Sequence, residues 1–390
     1  MRFWGVTGTN GKTTVTWILA RFIDAAPGRK CGYLTTVEVF DGKDRYYTGY
    51  TTPPLVQLKE IFAKMEANGC TDCVMEVSSH AIHQHRTGDT VFAGGAFTNL
   101  SEDHLDYHKT MAEYFRVKAS FAGQIAAQAP LPAVGCGRCD FPPFAVCIDG
   151  GYGREMLAYA GSLPLNTIPV STKNPRFDLS RLQLVGEYNR SNVLLAATLA
   201  EAAGVAHVAI DAAIPGLMPR WGRLERVENP AVSAEVYVDF AHTPDGLEKM
   251  LGALRGELSA RGKDKPGALW VVFGAGGDRD PLKRPLMGAA CARLADKLVV
   301  TSDNPRGEDP AAIIRAIVGG IEAEKASRYS LLEIEPDRAL AIRFALANAQ
   351  SGDIVVIAGK GHETTQEIQG VKYPFDDRRQ VRDFSQYLRG

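Results

Sequence analysis

The chain has 390 residues, of which 45% are hydrophobic and 23% are charged, and its formal net charge is −1. This composition is that of an ordinary soluble globular protein, and the length favours two or three domains. Such a balanced charge gives no reason to expect nucleic-acid or membrane binding. Because no apolar run reaches transmembrane length and the first predicted strand leaves no room for a signal peptide, we expect a cytoplasmic protein.

A glycine-rich turn near the N-terminus joins a short apolar strand to an amphipathic helix predicted over 13–26. At such a turn, backbone N–H groups and the positive end of the helix dipole bind phosphates. Lys12 is expected to reach the β- and γ-phosphates, and the Thr13 hydroxyl to ligate Mg²⁺. A turn without function is the alternative, but Gly-Lys-Thr-Thr at a strand-to-helix junction is specific. The motif is Val6, Thr7, Gly8, Thr9, Asn10, Gly11, Lys12, Thr13 and Thr14.

Polar residues follow two later predicted strands. Glu76 ends an apolar segment, and a buried carboxylate needs a cation or hydrogen-bond donors. A Mg²⁺ ion near the phosphates or a local arginine would satisfy it. Five of the eight histidines lie at positions 80, 83, 85, 104 and 108. Their spacing does not match a zinc motif, and we expect them to line a polar cleft or to be exposed.

Two C-x-x-C pairs, Cys70/Cys73 and Cys136/Cys139, would allow a four-thiolate zinc site. However, Cys70 and Cys73 flank the start of an apolar strand, where a thiol packs as a small hydrophobic group. Reduced structural thiols are therefore the favoured interpretation.

Strand-like and helix-like segments alternate along the whole chain, which predicts an α/β fold with mostly parallel sheets. The β-branched content of 31–40 predicts one extended strand. Lys118 lies on a half-apolar helix predicted over 111–127, where composition alone favours a side chain that reaches solvent. In the second half, strand ends present charged groups suited to a zwitterionic ligand, because guanidinium pairs with carboxylate and a carboxylate takes an ammonium. These groups are Arg279, Asp303, Arg306 and Glu363.

The glycine-rich turn, the segment 75–80 (MEVSSH) and the segment 98–108 (TNLSEDHLDYH) together resemble the Mur ligase family, in its MurE type. The resemblance implies a central P-loop ATPase-like domain with a mostly parallel sheet over 1–221. It also implies a C-terminal Rossmann-like α/β domain over 222–390. The MurE type carries an N-terminal UDP-binding domain of roughly a hundred residues. Since the P-loop strand begins at residue 2, the sequence is expected to lack that domain.

The resemblance also implies the site residues. ATP would be bound by Gly8, Thr9, Asn10, Gly11, Lys12, Thr13, Thr14, Asn189, Asn192, Arg223 and Asp239. Two Mg²⁺ ions would be held by Thr13, Glu76, His104 and Lys118, the last as a carbamate formed with CO₂. The catalytic residues would be Lys12, Glu76, His104 and Lys118. The acid substrate would contact Thr51, Thr52, Ser78, Gln84 and Arg86, and the amino acid would contact Arg279, Asp303, Asn304, Pro305, Arg306, Gly359 and Glu363.

The implied activity is ATP-dependent amide ligation through an acyl phosphate, in peptidoglycan biosynthesis. The acid would be UDP-N-acetylmuramoyl-L-alanyl-D-glutamate, and Arg306 favours meso-diaminopimelate as the amino acid. One alternative is a ligase of the same chemistry that acts on an acid without UDP, of the cyanophycin type or a specialised metabolite. Another is a regulatory nucleotide-binding protein, against which the intact Lys12, Glu76, His104 and Lys118 argue. The partners are expected to be small molecules, and the chain a monomer or weak dimer.

Overall fold

The computed structural model describes residues 1–128, 141–261 and 267–387. The chain divides into two compact units, Met1–Leu217 and Met218–Gly390. Both are α/β units with mostly parallel sheets, which confirms the predicted fold class. The predicted domain start at residue 222 falls a few residues inside the second unit. Cys136 and Cys139 lie outside the described residues.

The first unit is built on one large sheet. Its strands are β1 (Arg2–Thr7), β2 (Cys31–Leu34), β3 (Val39–Phe40), β4 (Arg45–Tyr46), β5 (Asp72–Glu76), β6 (Phe92–Phe97), β7 (Pro143–Cys147) and β8 (Asn166–Val170). Along the described chain they form eight strands in the order β4-β3-β2-β5-β1-β6-β7-β8. The pairings of β3 with β2 and β4 are antiparallel, and the central pairings are parallel.

Helices connect the parallel strands of this sheet. They are α1 (Lys12–Asp24), α2 (Leu55–Ala67), α3 (Ser79–His83), α4 (Leu105–His108), α5 (Met111–Gln128), α6 (Gly153–Gly161), α7 (Glu187–Ala202) and α8 (His207–Ala213), with a 3₁₀ turn at Ile214–Gly216. Because β1 pairs in parallel with both β5 and β6, the residues that follow these three strands lie at one edge of the sheet. That edge is where ligands bind in open α/β sheets.

The prediction of a single strand over 31–40 is wrong in the middle of that range. The chain turns after Leu34, and pairing resumes only at Val39. The Thr35 hydroxyl accepts hydrogen bonds from the backbone N–H groups of Val37 (3.2 Å) and Glu38 (3.0 Å). A threonine side chain that bonds to neighbouring backbone groups competes with strand pairing, a local effect that β-propensity does not include.

The second unit has a six-stranded sheet and a separate hairpin among its described residues. The strands are β9 (Glu225–Arg226), β10 (Glu235–Asp239), β11 (Leu269–Phe273), β12 (Lys297–Val300), β13 (Leu331–Ile334), β14 (Ile354–Ala358), β15 (Thr365–Ile368) and β16 (Val371–Pro374). The sheet order is β13-β12-β11-β14-β10-β9, in which the edge strand β9 is antiparallel, while β15 and β16 form the hairpin.

The helices of the second unit cover a sheet whose strands β11 and β14 are buried along their whole length. They are α9 (Pro244–Ala260), α10 (Lys283–Leu294), α11 (Pro310–Ala323), α12 (Arg338–Asn348), α13 (Asp377–Arg382) and α14 (Phe384–Tyr387). Strands buried on both faces are typical of parallel sheets covered by helices. None of the helices in the described part of either unit has the length and apolar character needed to span a membrane.

Candidate functional site

The predicted phosphate-binding loop connects β1 to α1. Gly8 and Gly11 both have positive φ, 142° and 88°, which favours glycine. A Cβ atom at Gly11 would lie 2.4 Å from the Asn192 Oδ1 atom, so α7 packs against the start of α1 where only glycine fits. The loop is therefore a tight strand-to-helix turn that needs glycine at both positions, and Thr14 follows on the first turn of α1.

A second loop, after β6, supports this turn. The backbone N–H groups of Thr9 and Asn10 donate to the backbone oxygen and the side-chain oxygen of Asn99, at 2.9 and 3.0 Å. The Thr98 hydroxyl donates to the Asn10 carbonyl at 2.6 Å. Thr98 and Asn99 thus attach the second loop to the glycine-rich turn, and neither was among the predicted site residues.

Two lysines converge on the same carbonyl of the loop. Lys12 Nζ donates to the Gly8 and Thr9 oxygens at 3.0 and 2.8 Å, and Lys118 Nζ donates to the Gly8 oxygen at 2.7 Å. Lys118 is only 1% exposed, so the expectation that its side chain reaches solvent is wrong. Burial lowers the pKa of Lys118 well below its ordinary value, and the charge of Lys12 lowers it further.

Glu76 lies at the end of β5 and is 1% exposed. Its Oε1 atom accepts from the Thr13 hydroxyl (2.7 Å) and from the Thr36 backbone N–H (2.8 Å). Its Oε2 atom accepts from the Thr36 hydroxyl (3.1 Å). The partners that the described structure gives this carboxylate are hydroxyl and amide groups, not the local arginine that was the alternative. Thr13 and Glu76, both predicted magnesium ligands, are thus in direct contact.

The histidines of the 80–108 region form a cluster of rings. His80 lies 5.1 Å from His104 and 5.8 Å from His108, measured between ring centroids, and His108 stacks on Tyr114. Burial lowers the pKa of His104 to about 4, opposed by Asp103 and reinforced by the charges of His80, Lys118 and Lys12. His104 is therefore neutral at neutral pH, with a lone pair available for a metal ion.

The five residues predicted to contact the acid substrate are grouped together. The buried Thr52 bonds to the Ser78 hydroxyl (3.4 Å), and its carbonyl accepts from Arg86 (3.0 Å). Arg86 also donates twice to the Gln84 side-chain oxygen, at 2.9 and 2.7 Å. The Thr51 hydroxyl lies 3.0 Å from that of Thr36, which the sequence analysis did not identify. Their roles in binding stay predictions.

The Ser78 hydroxyl has a structural task as well. It accepts from the Ala81 backbone N–H at 3.2 Å and so caps the N-terminus of α3. A ligand contact by this side chain would add to the cap.

The other residues predicted to bind ATP lie in both units. In the first, Asn189 donates to the Val185 carbonyl (2.8 Å), and Asn192 donates to Asn189 (3.4 Å) at the start of α7. In the second, Asp239 accepts from the backbone N–H groups of Leu224 (2.6 Å) and Ala241 (2.8 Å). The Arg223 guanidinium lies 4.4 Å from the centre of the Phe240 ring.

Three residues predicted to contact the amino acid, Asp303, Asn304 and Glu363, are joined through a buried lysine that was not among the predicted site residues. Lys360 is 0% exposed and donates to Asn304 Oδ1 (3.0 Å), Glu363 Oε2 (2.8 Å) and the Thr365 carbonyl (2.7 Å). Asn304 also donates to Asp303 (3.1 Å) and Glu363 (2.8 Å). Burial raises the pKa of Asp303, but the charges of Lys360, Arg338 and His242 outweigh it and lower the pKa.

Beside this network, Gly359 has φ of 115°, and a Cβ atom there would lie 2.5 Å from Asp303 Oδ2. Asp303 Oδ2 is buried and accepts no hydrogen bond from the described residues. This oxygen and the open face of Gly359 therefore form a place where an ammonium group could be bound.

Arg306 is held by the β15–β16 hairpin. Its backbone N–H donates to the Glu367 carbonyl (3.0 Å), and its own carbonyl accepts from Gln369 (2.7 Å). Its guanidinium donates to the Gly277 carbonyl at 2.6 Å and lies 3.7 Å from the Glu367 carboxylate. The backbone φ of Arg306 is 50°, a strained value for a non-glycine residue. Pro305, before it, is buried, and Arg279, two residues after Gly277, is exposed.

The zinc alternative has no support in the part of the chain that the structure describes. Cys70 and Cys73 are 7% and 0% exposed, and burial raises the pKa of both thiols. No group of three or more His, Cys, Asp and Glu residues within the described ranges could hold a metal ion. The four-thiolate site would also need Cys136 and Cys139, which lie outside the described residues, so reduced structural thiols stay a prediction.

Comparison with known proteins shows the family to which the chain belongs. The family model of the Mur ligase middle domain matches residues 6–133. The model of the Mur ligase glutamate ligase domain matches residues 222–361. The first match includes the glycine-rich turn, Glu76, His104 and Lys118, and the second includes the loops around Lys360.

Relatives from two bacteria, both named UDP-N-acetylmuramoyl-L-alanyl-D-glutamate–2,6-diaminopimelate ligase, are similar along nearly the whole chain. The protein from Ralstonia nicotianae is 39% identical over 401 aligned residues, which cover 98% of this chain and 75% of the relative. The protein from Geobacillus kaustophilus is 38% identical over 397 aligned residues, which cover 96% and 76%. The chain thus spans about three quarters of the length of these relatives.

Solved structures show the same fold. A structure of a ligase with the same name is 30% identical, with a TM-score of 0.60, and the match covers 100% of this chain and 79% of the other. A pseudomurein peptide ligase type C from Methanothermus fervidus has a TM-score of 0.64 at 14% identity, covering 99% and 79%, and shows likeness of fold alone. The resemblance inferred from the motifs is confirmed, and the chain is a member of the Mur ligase family of ATP-dependent acid–amino-acid ligases.

Proposed function

We propose that the chain joins meso-diaminopimelate to the D-glutamyl carboxylate of UDP-N-acetylmuramoyl-L-alanyl-D-glutamate, with conversion of ATP to ADP and phosphate. The similarity along nearly the whole chain to ligases of that name is the observation that carries this proposal. The geometry agrees with it, since the acid-side residues around Thr52 adjoin the β5 end that holds Glu76 beside the phosphate-binding loop.

Two Mg²⁺ ions are proposed as cofactors with ATP, and the residues present fit them. Thr13 and Glu76 supply contacting oxygen atoms, and His104 supplies a neutral imidazole. With carbamylated Lys118 as a further oxygen donor, these residues would leave positions for phosphate oxygens and water, as is usual for Mg²⁺. When bound, the ions would neutralise charge on the phosphates.

The chain's own residues would position the reacting groups. Lys12 would move from its loop carbonyls to the β- and γ-phosphates, where its charge stabilises the transferring phosphoryl group. The substrate carboxylate attacks the γ-phosphorus, the bond to the β-phosphate oxygen breaks, and ADP leaves. The amine of the amino acid then attacks the acyl carbon, and phosphate leaves with the C–O bond electrons.

The loops of the second unit would select the amino acid. Asp303 and Glu363 would bind an ammonium group, because each retains a carboxylate oxygen with capacity for a further donor. The Arg306 guanidinium would bind the distal carboxylate of diaminopimelate, a group that L-lysine lacks. Lys360 and Asn304 hold one Glu363 oxygen and so leave the other directed away from them.

The proposed reaction is tested by phosphate release from ATP in the presence of defined substrates. We expect release with UDP-N-acetylmuramoyl-L-alanyl-D-glutamate plus meso-diaminopimelate, and much slower release when L-lysine replaces the amino acid. The matched acid without UDP, N-acetylmuramoyl-L-alanyl-D-glutamate, is the control. Equal rates with both acids would favour a ligase that does not recognise UDP, and no release with either would favour a regulatory protein.

Arg306→Ala is expected to lower kcat/KM for diaminopimelate by about 10- to 100-fold, since hydrogen bonds to charged groups contribute about 1.5–3 kcal/mol. The residual kcat/KM with L-lysine should not fall, because that substrate has no distal carboxylate. Steady-state kinetics with each amino acid at saturating ATP and acid measure this. Arg315→Ala, at a 71% exposed side chain, is the matched control. An equal loss with both amino acids would contradict the role of Arg306 in selection.

A further inference from the structure

Thr36 connects the Glu76 carboxylate, a proposed magnesium ligand, to Thr51, which is proposed to contact the acid substrate. Thr36 has no role in the motifs or in the proposed reaction. Its backbone N–H and its hydroxyl contact the two oxygens of Glu76, at 2.8 and 3.1 Å. The same hydroxyl lies 3.0 Å from the hydroxyl of Thr51. A continuous chain of hydrogen bonds therefore runs from Thr13 through Glu76 and Thr36 to Thr51.

The local fold holds Thr36 in this position. The Thr35 hydroxyl accepts from two backbone N–H groups and donates to the Glu38 carbonyl at 2.8 Å, which closes the turn between β2 and β3. Thr35 is 2% exposed, whereas Thr36, at the bend itself, is only partly buried. The turn thus directs the Thr36 side chain toward the strand ends, where Glu76 and Thr51 lie.

The hydroxyl protons available limit the donor directions along this chain of hydrogen bonds. The Thr36 hydroxyl has one proton but two oxygen neighbours, and an ionised carboxylate only accepts. The Thr36 hydroxyl is the donor in both contacts, so its single proton is given either to Glu76 Oε2 or to Thr51 Oγ1. When Thr51 receives this proton, its own O–H is left to donate to another group. Thr51 then suits a ligand acceptor such as a carbonyl or carboxylate oxygen.

We propose that Thr36 is a positioning residue that couples nucleotide binding to acid binding. Thr13 and Glu76 would hold a Mg²⁺–nucleotide complex, and a Glu76 carboxylate engaged in this way would leave the Thr36 proton to Thr51. The Thr51 O–H would then be directed toward an acceptor oxygen of the acid. This inference rests on the proposed function, because it takes the acid to be bound at Thr51. Coupling between two sites typically changes affinity by about 5- to 150-fold.

Calorimetric binding of UDP-N-acetylmuramoyl-L-alanyl-D-glutamate tests the coupling without turnover. The acid is titrated into the full chain with a non-hydrolysable ATP analogue and Mg²⁺, and again without them. For the unmodified protein we expect about 10-fold tighter acid binding with the Mg²⁺–nucleotide complex. Thr36→Val should reduce this enhancement to less than about 2-fold, and Thr36→Ser, which keeps the hydroxyl, should preserve it.

Two further variants make the result specific. Thr16→Val makes the same exchange at a fully buried threonine whose hydroxyl has no partner in the described structure, and should behave like the unmodified protein. Thr51→Val breaks the chain from the other end, and it should lose the enhancement as Thr36→Val does. The enhancement of acid binding in the double variant should be no smaller than in either single variant, because the effects of substitutions at contacting residues of one network are not additive.

The outcomes separate this inference from the proposed function. An unmodified protein that binds the acid but shows no enhancement, or a Thr36→Val variant that keeps it, would overturn the coupling alone. Additive effects of the two valine variants would do the same. A protein that binds no acid under any of these conditions would overturn the proposed function and the coupling with it.

Discussion

Lys118→Ala is expected to lower kcat by at least about 10³-fold, because a group that stabilises transition-state charge typically contributes 10²–10³-fold and Lys118 is also proposed as a metal ligand after carbamylation. Burial and the charge of Lys12 lower the pKa of Lys118, so its amine is favoured in the uncharged form. Only an uncharged amine attacks CO₂, and the product carries the carboxylate oxygens that an ammonium lacks. Short-chain carboxylates should therefore restore part of the activity of the variant.

Phosphate release measures the loss and its rescue, and ¹³C NMR after equilibration with ¹³CO₂ should show a carbamate signal that Lys118→Ala lacks. Lys43→Ala, at an exposed lysine that is not among the proposed site residues, is the control and should retain both the activity and the carbamate signal. Full activity in Lys118→Ala would remove the carbamate from the mechanism. The activity lost in Lys118→Ala could instead fail to recover at any carboxylate concentration, while the unmodified protein shows no carbamate signal. That result would assign Lys118 a role as an amine.

Features determined by short stretches of sequence could be predicted. The phosphate-binding loop depends on glycines at two positions and on Lys12 and Thr13 at the first turn of a helix, all within one strand-turn-helix unit. Glu76 was singled out because a carboxylate at the end of an apolar strand needs a partner. The α/β fold class with mostly parallel sheets followed from the alternation of elements, since parallel strands need helical connections.

Features that depend on contacts distant in sequence could not be predicted. Lys118 has the composition of a surface position on α5, and only the packing of that helix against the Gly8 carbonyl buries its amine. Thr36 was placed inside a predicted strand, because propensity does not register the hydroxyl of Thr35 that ends the pairing. Lys360 and Arg338 are buried cations that each have an acceptor distant in sequence, Asn304 for Lys360 and Asp377 for Arg338, so a local pattern alone does not show that they are buried.

The Arg338 side chain is a buried ion-pair partner beside the strand-end loops of the second unit, at 1% exposure. It donates twice to Asp377, with both contacts at 2.8 Å. It also donates to the carbonyls of Ser302 (3.3 Å) and Ala358 (3.0 Å), which immediately precede Asp303 and Gly359. One guanidinium thus fixes two loops of the proposed amino-acid site to α13.

Arg338→Met is therefore expected to lower the free energy of unfolding of the second unit by about 3–5 kcal/mol, the usual cost of leaving one buried charge without its partner. Urea denaturation followed by circular dichroism measures this. Arg315→Met, at an exposed surface pair, should cost less than about 1 kcal/mol. A cost below about 1 kcal/mol for Arg338→Met itself would show that Asp377 finds another partner.

The double variant Arg338→Met with Asp377→Leu separates charge from hydrogen bonding. Replacing both members of a buried pair by apolar groups is often nearly neutral, so the double variant should recover much of the loss. Recovery should stay incomplete, because the Ser302 and Ala358 carbonyls lose a donor in both variants, and an unsatisfied buried acceptor costs about 1–3 kcal/mol. The KM for the amino acid should remain raised in the double variant even where stability recovers, since the two loops are no longer held in place. A double variant with recovered stability and an unchanged KM would limit Arg338 to a structural role.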